Sequence, residues 1–573
     1  MKENRWLISY VAIGILIVLA GIFLFFVSKK SVQKNIVTVE YNKQWNHIMA
    51  DSINQKNILL KIDNVMVDCS KAKPYFTDNM ELMIPCSIVK EGFDCAKNLY
   101  KKKNLVIERG SNEAELKLGS KLLKFNDNEY ELSESVEKIK NEIYVPAELF
   151  TTYLNYEFQW DSGTMVSSFE NQAKGDSFLP ERYNYLEKGK SVSVKDQGAH
   201  GTCWAFATLT ALESSLLPEE KMDFSENNLI YNNILSDEIH DGGDYIRSMA
   251  YLMSWNGPVL EADDPYGSMH TDAKKKVVKH VQEAVIIPKG NLEKIKEMVF
   301  KYGGVESSLY MASTAAYMTN TFYNNEECAY CYKGKEKPNH DVVIIGWDDH
   351  YPKENFKDQS LKKDGAFLCI NSWGEEFGKN GTFYVSYEDS QIGSLNVCYT
   401  GIEETDNYDR IYQTDLCGWI GTMGFEGSPH AYFANVYKAK EKESVESVGF
   451  YAAKASMKYE VFICRKFDGK ISLNDRTHVA AQGILKNQGY YTIRLDQSYP
   501  VRKGDKFAVV VKVTDSKGKD YRLIPVEMKS EDIDIHVDLS DGEGYISSGG
   551  EKWQSAEKQE CNICLKAYTK KMK

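Results

Sequence analysis

The chain has 573 residues, with 82 acidic and 70 basic side chains and a formal net charge of −12 at pH 7. This length fits several domains rather than one. Nucleic-acid binding depends on Lys and Arg side chains that neutralise phosphates, so the negative charge and the lack of a basic stripe argue against a nucleic-acid partner. Twelve cysteines scattered over this length are too sparse for a disulfide scaffold.

The first predicted element is a membrane span. Residues Trp6–Val27 carry no charged side chain, and these 22 residues at the helical rise span about 30 Å, the thickness of a bilayer core. A cleaved signal peptide is the alternative, but its apolar region is normally shorter and ends in a small-x-small site, which the sequence from Phe23 onward lacks. We therefore expect residues 1–35 to form an uncleaved transmembrane signal anchor. Basic residues flank both of its ends, so the positive-inside rule does not set its orientation.

Residues 36–170 have the pattern of a separate unit. Ile58–Val67 alternates around a turn and predicts a hairpin. Leu82-Met-Ile-Pro-Cys86 and Ile143-Tyr-Val-Pro-Ala-Glu-Leu-Phe150 occupy matching positions, each before a helical pattern, and Tyr156–Asp161 closes the second. This duplication resembles the N-terminal-like domain of copper amine oxidases, a module of Gram-positive surface proteins. The resemblance implies a small α+β stalk or wall-facing adaptor; His47 is the only histidine of these residues, which argues against copper.

The next stretch places a cysteine six residues after a glutamine, in Gln197-Gly-Ala-His-Gly-Thr-Cys203-Trp-Ala-Phe. Leucines recur at helical spacing from Leu209 to Leu216, and Pro218 closes the pattern. The spacing predicts a helix whose first turn holds Cys203. At that position the positive end of the helix dipole favours a thiolate, the reactive form of a cysteine.

Candidate partners for this cysteine follow downstream. His340 precedes a strand-like run, Val342–Gly346, and Asn371 opens the motif Asn-Ser-Trp-Gly. The imidazole of His340 would take the thiol proton, the Asn371 amide would orient the ring, and Gln197 would donate to a developing oxyanion beside the Cys203 backbone N–H. Taken singly, each residue also suits a structural role, as a buried thiol, a core histidine or a turn. Their joint order and spacing favour a catalytic constellation.

These motifs resemble the papain family of cysteine peptidases over roughly residues 177–400. Further motifs carry the resemblance: Leu179-Pro-Glu-Arg-Tyr-Asn184, Ser225-Glu-Asn-Asn-Leu229, Gly242-Gly243, Asp264-Pro-Tyr266 and Gly374–Tyr384. One departure is His200, which stands where many relatives have a disulfide cysteine. The family's inhibitory helical pro-segment is not recognisable upstream.

The resemblance implies a two-lobed α+β domain over residues 171–405 that needs no cofactor. It implies Cys203 as nucleophile, His340 as base, Asn371 as orienting residue and Gln197 as oxyanion donor. It further implies substrate-binding positions: the glycine pair Gly242 and Gly243 would align the peptide backbone, Ser308 and Asn339 would fall near the main side-chain pocket, and Trp373 would shield the Asn371 amide.

Residues 406–573 contain short apolar runs that are typical of β-strands. Tyr459–Cys464, Tyr490–Leu495 and Phe507–Val513 predict an all-β sandwich. The order of these runs resembles the lectin-like domain that accompanies papain-type peptidases in anaerobic Gram-positive bacteria. The segments that carry this resemblance are Asp409–Asp415, Ser447–Tyr451 and Gly544–Trp553. We expect this unit to form its own core and to fold as an independent module, with Trp419 and Trp553 in cores rather than exposed to sugars.

Two cysteine pairs have metal-ligand spacing, Cys328-x-x-Cys331 and Cys561-x-x-Cys564. A four-thiolate zinc site requires both pairs to meet in space, and they belong to different predicted domains. We therefore expect free thiols or a local disulfide rather than a zinc site, and we expect no metal centre.

The sequence thus predicts a membrane-anchored, cell-surface cysteine endopeptidase with an extracellular catalytic domain on a Gram-positive type surface. Proteins or peptides would be its substrates, and the stalk and lectin-like units could contact the cell wall. Two alternatives stay open. An enzyme that transfers the acyl group or processes surface proteins would form the same acyl-enzyme. A surface binding protein with a weak catalytic domain is the other.

Overall fold

The computed structural model describes residues 50–572, apart from 64, 101–102, 173–177, 234–241, 269, 272–274, 313–320, 516–517, 519–520, 531–536 and 541–542. The anchor expected at Trp6–Val27 lies outside the described residues. Within the described ranges, the structure has no helix long and apolar enough to cross a membrane.

The described N-terminal unit, residues 50–172, is built from three small sheets around one apolar core. The predicted hairpin is present, with Ile62 paired to Val65. Helical segments are short, at Cys86–Ile88, Val89–Gly92 and Leu149–Tyr153. The strands are Leu59–Ile62, Val65–Val67, Tyr75–Phe76, Leu82–Pro85, Ala96–Tyr100, Asn104–Arg109, Asn112–Lys117, Leu122–Phe125, Asn128–Glu131, Glu137–Ile139, Glu142–Pro146, Tyr156–Asp161 and Val166–Asn171.

The duplicated sequence motif forms the centre of one of these sheets. Strands Leu82–Pro85 and Glu142–Pro146 pair antiparallel, with Ile84 opposite Val145. Both of these side chains are fully buried. Each strand leads into a short helical segment, so the two halves are related by an approximate twofold arrangement.

The middle of the chain forms a helical layer against a sheet layer. The helix Cys203–Leu216, here called the central helix, is buried along nearly all of its length because it packs against the sheet on one side and the other helices on another, and its buried polar side chains Thr208 and Glu213 are hydrogen-bonded. The other helices are Glu226–Tyr231, Tyr245–Met253 and Leu292–Lys301, with short 3-10 turns at Glu261–Asp263 and Lys353–Asn355. The strands are Arg182–Asn184, His280–Ile287, Val305–Leu309, Tyr323–Asn324, Ala329–Tyr330, His340–Asp348, Ala366–Ile370, Thr382–Ser386 and Asn396–Glu403.

The C-terminal part of the chain is a β domain with a large apolar core of its own. Its described regular elements are strands and two 3-10 turns, Lys470–Asn474 and Glu557–Gln559. The strands are Arg410–Tyr412, Gly421–Gly424, His430–Lys438, Glu443–Ala452, Met457–Cys464, Ala481–Leu485, Gln488–Val501, Lys506–Asp515, Arg522–Met528, Gly544–Ser547, Gln554–Ser555, Cys561–Ile563 and Leu565–Lys571.

One sheet of 13 strands runs through both the middle and the C-terminal part. His280–Ile287 pairs with Asn396–Glu403 on one side and with Gln488–Val501 on the other, placing Ala284 opposite Tyr490. We call this pairing the seam. The β domain has its own core, as expected, but it also shares a sheet with its neighbour, so its independent folding stays a prediction. The physical reason for the shared sheet is that His280–Ile287 would otherwise leave its outer backbone groups without partners.

The tryptophans and cysteines of the C-terminal domain are mostly enclosed. Trp553 is buried and donates its indole N–H to Asn474 Oδ1 at 2.8 Å, and Trp419 is partly buried against Tyr451. All twelve cysteines are free thiols. The described part of the chain has no group of three or more His, Cys, Asp or Glu side chains placed to hold a metal ion.

Candidate active site

The central helix begins at Cys203, as the leucine spacing predicted. Thr202 precedes it without a side-chain cap, so the first backbone N–H groups remain available at the helix start. The central helix packs against the strand His340–Asp348, so the helix start with Cys203 and the strand start with His340 belong to neighbouring elements.

His340 begins the strand His340–Asp348 and is held by Asn371. Its Nε2 lies 2.7 Å from Asn371 Oδ1, which also accepts the backbone N–H of Ser372 at 2.9 Å. That second bond identifies the Asn371 atom as an oxygen, which can only accept, so Nε2 must carry the imidazole proton. The neutral ring therefore presents Nδ1 as its basic nitrogen.

Trp373 covers this pair. Its ring centroid lies 4.8 Å from that of His340, and Phe377 packs edge-on to Trp373 with centroids 5.1 Å apart. Asn371 is 3% exposed beneath this cover. Excluding water strengthens the His340–Asn371 hydrogen bond, because the local dielectric is low.

Gln197 is fixed by Ser372, the residue after Asn371. The Ser372 hydroxyl donates to Gln197 Oε1 at 2.7 Å, and the Gln197 backbone N–H donates to Ser372 O at 2.9 Å. Gln197 Nε2 donates one hydrogen to His200 O at 2.7 Å. An amide nitrogen carries two hydrogens, so one N–H remains for a substrate oxyanion.

Two residues that the sequence analysis did not single out hold the Gln197 loop. Lys195 Nζ lies 2.7 Å from both Glu213 on the central helix and Glu226 on the next helix. The Tyr266 hydroxyl donates to Gln197 O at 2.9 Å. Lys195 lies in the same motif as Gln197, and Tyr266 is the last residue of the Asp-Pro-Tyr turn. Nothing in the sequence shows that Lys195 pairs with Glu213 and Glu226 or that Tyr266 bonds Gln197.

Burial dominates the electrostatics of the pair. It raises the pKa of the Cys203 thiol, with the Asp341 carboxylate adding to the rise, and it lowers the pKa of His340. The backbone N–H groups around the sulfur lower the thiol pKa, as expected for a helix start, but they do not offset burial. Burial therefore favours the neutral forms of both Cys203 and His340.

The predicted glycine pair lies next to Trp204, the residue that follows Cys203. A Cβ atom on Gly243 would come within 2.6 Å of the Trp204 ring, so only glycine fits there. Gly242 has a φ of +72°, a conformation that favours glycine. Since Trp204 directly follows Cys203, the pair brings bare backbone to the start of the central helix.

The two predicted pocket residues have different surroundings. The Ser308 hydroxyl donates to Asp341 Oδ1, across paired strands. Asn339 uses its side chain on the backbone of Met311, accepting from its N–H at 2.7 Å and donating to its carbonyl at 3.0 Å. Asn339 thus braces a loop, whereas Ser308 contacts a carboxyl group beside the nucleophile.

Asp341 was missed by the sequence analysis. It is 7% exposed and lies between His340 and a run of apolar residues. An acidic residue at the start of an otherwise apolar, fully buried strand is the signal that could have drawn attention to it, because carboxylates are rarely buried without a reason.

The comparisons with known families agree with this geometry. The family model described as Papain family cysteine protease matches residues 179–405. These residues form a papain-family cysteine protease domain. The papain-family domain is flanked by a match to the Copper amine oxidase N-terminal domain at residues 37–168 and by one to the Lectin like domain at residues 411–569.

The curated relatives match a little over a third of this chain. Cysteine proteinase 15A of Pisum sativum is 30% identical over 221 residues, covering 36% of this chain and 58% of the pea protein. Cathepsin S of Bos taurus is 28% identical over 236 residues, covering 39% of this chain and 63% of the bovine protein. The chain thus spans about six-tenths of the length of these relatives.

Solved structures extend the likeness beyond the papain-family domain. The clostridial cysteine protease Cwp84 after propeptide cleavage is 26% identical with a TM-score of 0.61, covering 68% of this chain and 99% of that one. A second structure contains the cysteine protease and lectin-like domains of Cwp84, a surface layer associated protein of Clostridium difficile. It is 26% identical with a TM-score of 0.59, covering 68% of this chain and 89% of that one. The combination of papain-like fold, N-terminal stalk and C-terminal β domain is thereby established.

Proposed function

We propose that this protein is a membrane-anchored, cell-surface cysteine endopeptidase that cleaves peptide bonds through a Cys203–His340–Asn371 acyl-thioenzyme mechanism. The observation that carries the proposal is the hydrogen bond between His340 Nε2 and Asn371 Oδ1, which leaves Nδ1 as the base on a strand that packs against the helix begun by Cys203.

In the first half-reaction His340 Nδ1 takes the thiol proton, and the Cys203 thiolate attacks the scissile carbonyl carbon to form a C–S bond. Gln197 Nε2 and the Cys203 N–H donate to the resulting oxyanion. Collapse of this intermediate breaks the C–N bond, and His340 returns its proton to the leaving amine. Water, activated by the same imidazole, then hydrolyses the thioester and restores the thiol.

Substitution of the nucleophile tests the chemistry. Cys203→Ala should abolish peptide cleavage and labelling by a thiol-directed epoxide, because the attacking sulfur is gone. Cys464→Ala, which removes a partly exposed thiol from the C-terminal domain, is the matched control and should leave both unchanged. Cleavage that survives Cys203→Ala above trace level would show that another group is the nucleophile.

The oxyanion donor is tested by its effect on rate. Gln197→Ala should lower kcat by roughly 10²–10³ with a much smaller change in KM, because the lost hydrogen bond forms mainly in the transition state. Asn371→Ala should cost less than His340→Ala, since the base remains but its orientation is lost. Equal, small effects at all three positions would contradict the assigned roles.

The surface location is supported by the uncharged run Trp6–Val27 and by the likeness to a surface layer associated protein. Full-length protein should fractionate with membranes, and protease added to intact cells should remove the chain beyond Lys34. Recovery of a mature N-terminus just after Ser28 would show a cleaved signal instead, and protection from the added protease would show the opposite orientation.

A further inference from the structure

Lys566 and Asp415 form a fully buried ion pair in the C-terminal β domain. Lys566 Nζ lies 2.8 Å from Asp415 Oδ1, and the two side chains are 1% and 0% exposed. In every other ion pair of the described residues, at least one side chain is 11% exposed or more. The pair between Lys566 and Asp415 is therefore the one among them in which both charged groups are closed to water.

The turn that carries Asp415 is tied to two strands. The backbone N–H of Gly418 donates to the Asp415 carbonyl at 3.1 Å, and the backbone N–H of Cys417 donates to Glu527 Oε1 at 2.6 Å. Glu527 Oε2 in turn accepts from Asn562 Nδ2 at 2.8 Å, across paired strands. These bonds leave the turn little freedom to carry Asp415 away from Lys566.

The amine end of Lys566 is held as closely. Its Nζ donates to Gln413 Oε1 at 2.9 Å as well as to Asp415 Oδ1 at 2.8 Å. Lys566 lies on the strand Leu565–Lys571, and the residues on either side of it, Leu565 and Ala567, are fully buried. The nitrogen is thus fixed one bond away from Cγ, the carbon that carries Oδ1.

A buried ion pair is costly, because both charges have been taken out of water. Transfer of one proton from the Lys566 ammonium to the Asp415 carboxylate removes both charges at once. Burial favours this transfer, because it raises the pKa of the Asp415 carboxyl group. An amine and a carboxylic acid are then held in contact at high effective concentration, and the exclusion of water opposes hydrolysis of an amide formed from them.

We propose that Lys566 Nζ and Asp415 Cγ become joined by an intramolecular amide bond once the β domain has folded. One proton first passes from the ammonium to the carboxylate, which leaves an amine and a carboxylic acid. The nitrogen lone pair then attacks Cγ, so that an N–C bond forms and the C–OH bond breaks. The hydroxyl leaves as water with a proton from the nitrogen, and the reaction needs no oxidant and no co-reactant.

The amide fastens the start of the β domain to its end. Asp415 and Lys566 are 151 residues apart in the sequence. The strand Arg410–Tyr412, just before Asp415, pairs with the strand Leu565–Lys571. A cross-link over a loop of this length restricts the unfolded chain, as a disulfide does. All twelve cysteines are free thiols, so no disulfide among the described residues serves this purpose.

Mass spectrometry of the full-length protein tests the bond. The wild-type chain should be lighter than its sequence by one water, and Lys566→Met, which keeps an unbranched stem and lacks the amine, should show no such loss. Lys566→Met cannot form the amide whether or not it folds, so it is a valid mass reference. Lys512→Met is the matched control, because it removes a lysine that pairs with Glu460 in the same domain, and it should keep the loss of water.

A tryptic digest of the denatured protein locates the bond. Tandem spectra should contain the peptide with Asp415 joined to the peptide with Lys566, and trypsin should not cut after Lys566. Lys301 and Asp94 are an internal comparison, since their Nζ–Oδ1 distance of 2.7 Å is equally short but Asp94 is 39% exposed. We expect linear peptides there, because water reaches that carboxylate.

The outcomes decide between an amide and an ion pair. A wild-type chain of full sequence mass, with linear peptides at both positions, would show that the pair stays ionic and that the proposal is wrong. A loss of ammonia with a link to Gln413 would place the bond on that amide instead. A loss of water that persists in Lys566→Met would place the modification at another residue. The amide does not depend on the proposed peptidase function, which labelling by the epoxide tests separately.

Discussion

The papain-family domain meets its two neighbours through different kinds of contact. At the seam, strand His280–Ile287 pairs with Gln488–Val501 through backbone hydrogen bonds, and Tyr490 is fully buried in the core of the papain-family domain. At the stalk junction two ion pairs join the units, Lys301 Nζ to Asp94 at 2.7 Å and Lys188 Nζ to Glu108 at 2.6 Å, and Ala96 of the stalk is buried in the core of the papain-family domain. One neighbour extends the sheet of the domain, whereas the other docks against its surface.

The difference between these two junctions indicates which parts of the chain form one folding unit. Backbone pairing and buried aromatic rings resist separation, because parting them exposes apolar surface and unpaired N–H and C=O groups. In these two stalk pairs one side chain is buried and the other is about one-third exposed or more, so we expect each pair to contribute about 1 kcal/mol and to weaken with salt. We therefore expect the β domain to be required for a stable peptidase and the stalk to be separable from it.

Removing the β domain should have the largest effect. A chain that ends at Glu404 leaves the outer edge of His280–Ile287 unpaired, and it uncovers apolar surface that Tyr451 and Tyr490 bury. We expect aggregation or a clearly lower Tm than full-length protein, measured by light scattering and circular dichroism. A soluble truncated chain with unchanged Tm and unchanged kcat/KM on a short peptide would show that the seam is dispensable.

A single substitution can test the seam without deleting a domain. Gly489 has a φ of +147°, and a Cβ there would lie 2.1 Å from the Ala284 carbonyl oxygen across the seam. Gly489→Val should lower the free energy of unfolding by about 3 kcal/mol. Gly504→Val is the matched control: its φ of +88° is also positive, but no atom lies within 4 Å of the added Cβ. We expect a loss of about 1 kcal/mol there, and equal losses at the two positions would contradict a tightly packed seam.

The smallest effect is expected at the stalk junction. Asp94→Asn removes one of the two ion pairs of Lys301 and leaves Glu297 at 3.1 Å, so the loss of stability should be at most about 1 kcal/mol and should shrink at high salt. Asp127→Asn, on a stalk residue paired only with Lys124, controls for the charge change. Urea unfolding at low and high salt measures both. A salt-independent loss of several kcal/mol would place the stalk in the same unit as the β domain.

Much of the local structure follows from the sequence. Leucine spacing and Pro218 indicated the central helix, and the structure begins it at Cys203 and ends it at Leu216. The runs chosen as strands, such as Phe507–Val513, lie within longer observed strands, here Lys506–Asp515. Periodicity and chain breakers are local signals, so they predict elements well and their ends less well.

The seam and the surroundings of Asp341 could not be predicted in the same way. His280–Ile287 and Gln488–Val501 are both apolar, strand-like runs, but nothing in either sequence specifies the other as its partner across about 200 residues. Asp341 is conspicuous only once its strand is known to be buried. Long-range pairing and burial are properties of the folded chain, and they decide both which domains join and which charges meet.

The consecutive placement of Asn371 and Ser372 has a consequence for how this site can evolve. Asn371 hydrogen-bonds His340, and Ser372 hydrogen-bonds both the side chain and the backbone of Gln197. In the proposed mechanism one stretch of backbone therefore aligns both the base and the oxyanion donor. A distant substitution that shifts this stretch would disturb the orientation of His340 and the position of Gln197 at the same time. A single change would then impair both proton transfer and oxyanion stabilisation.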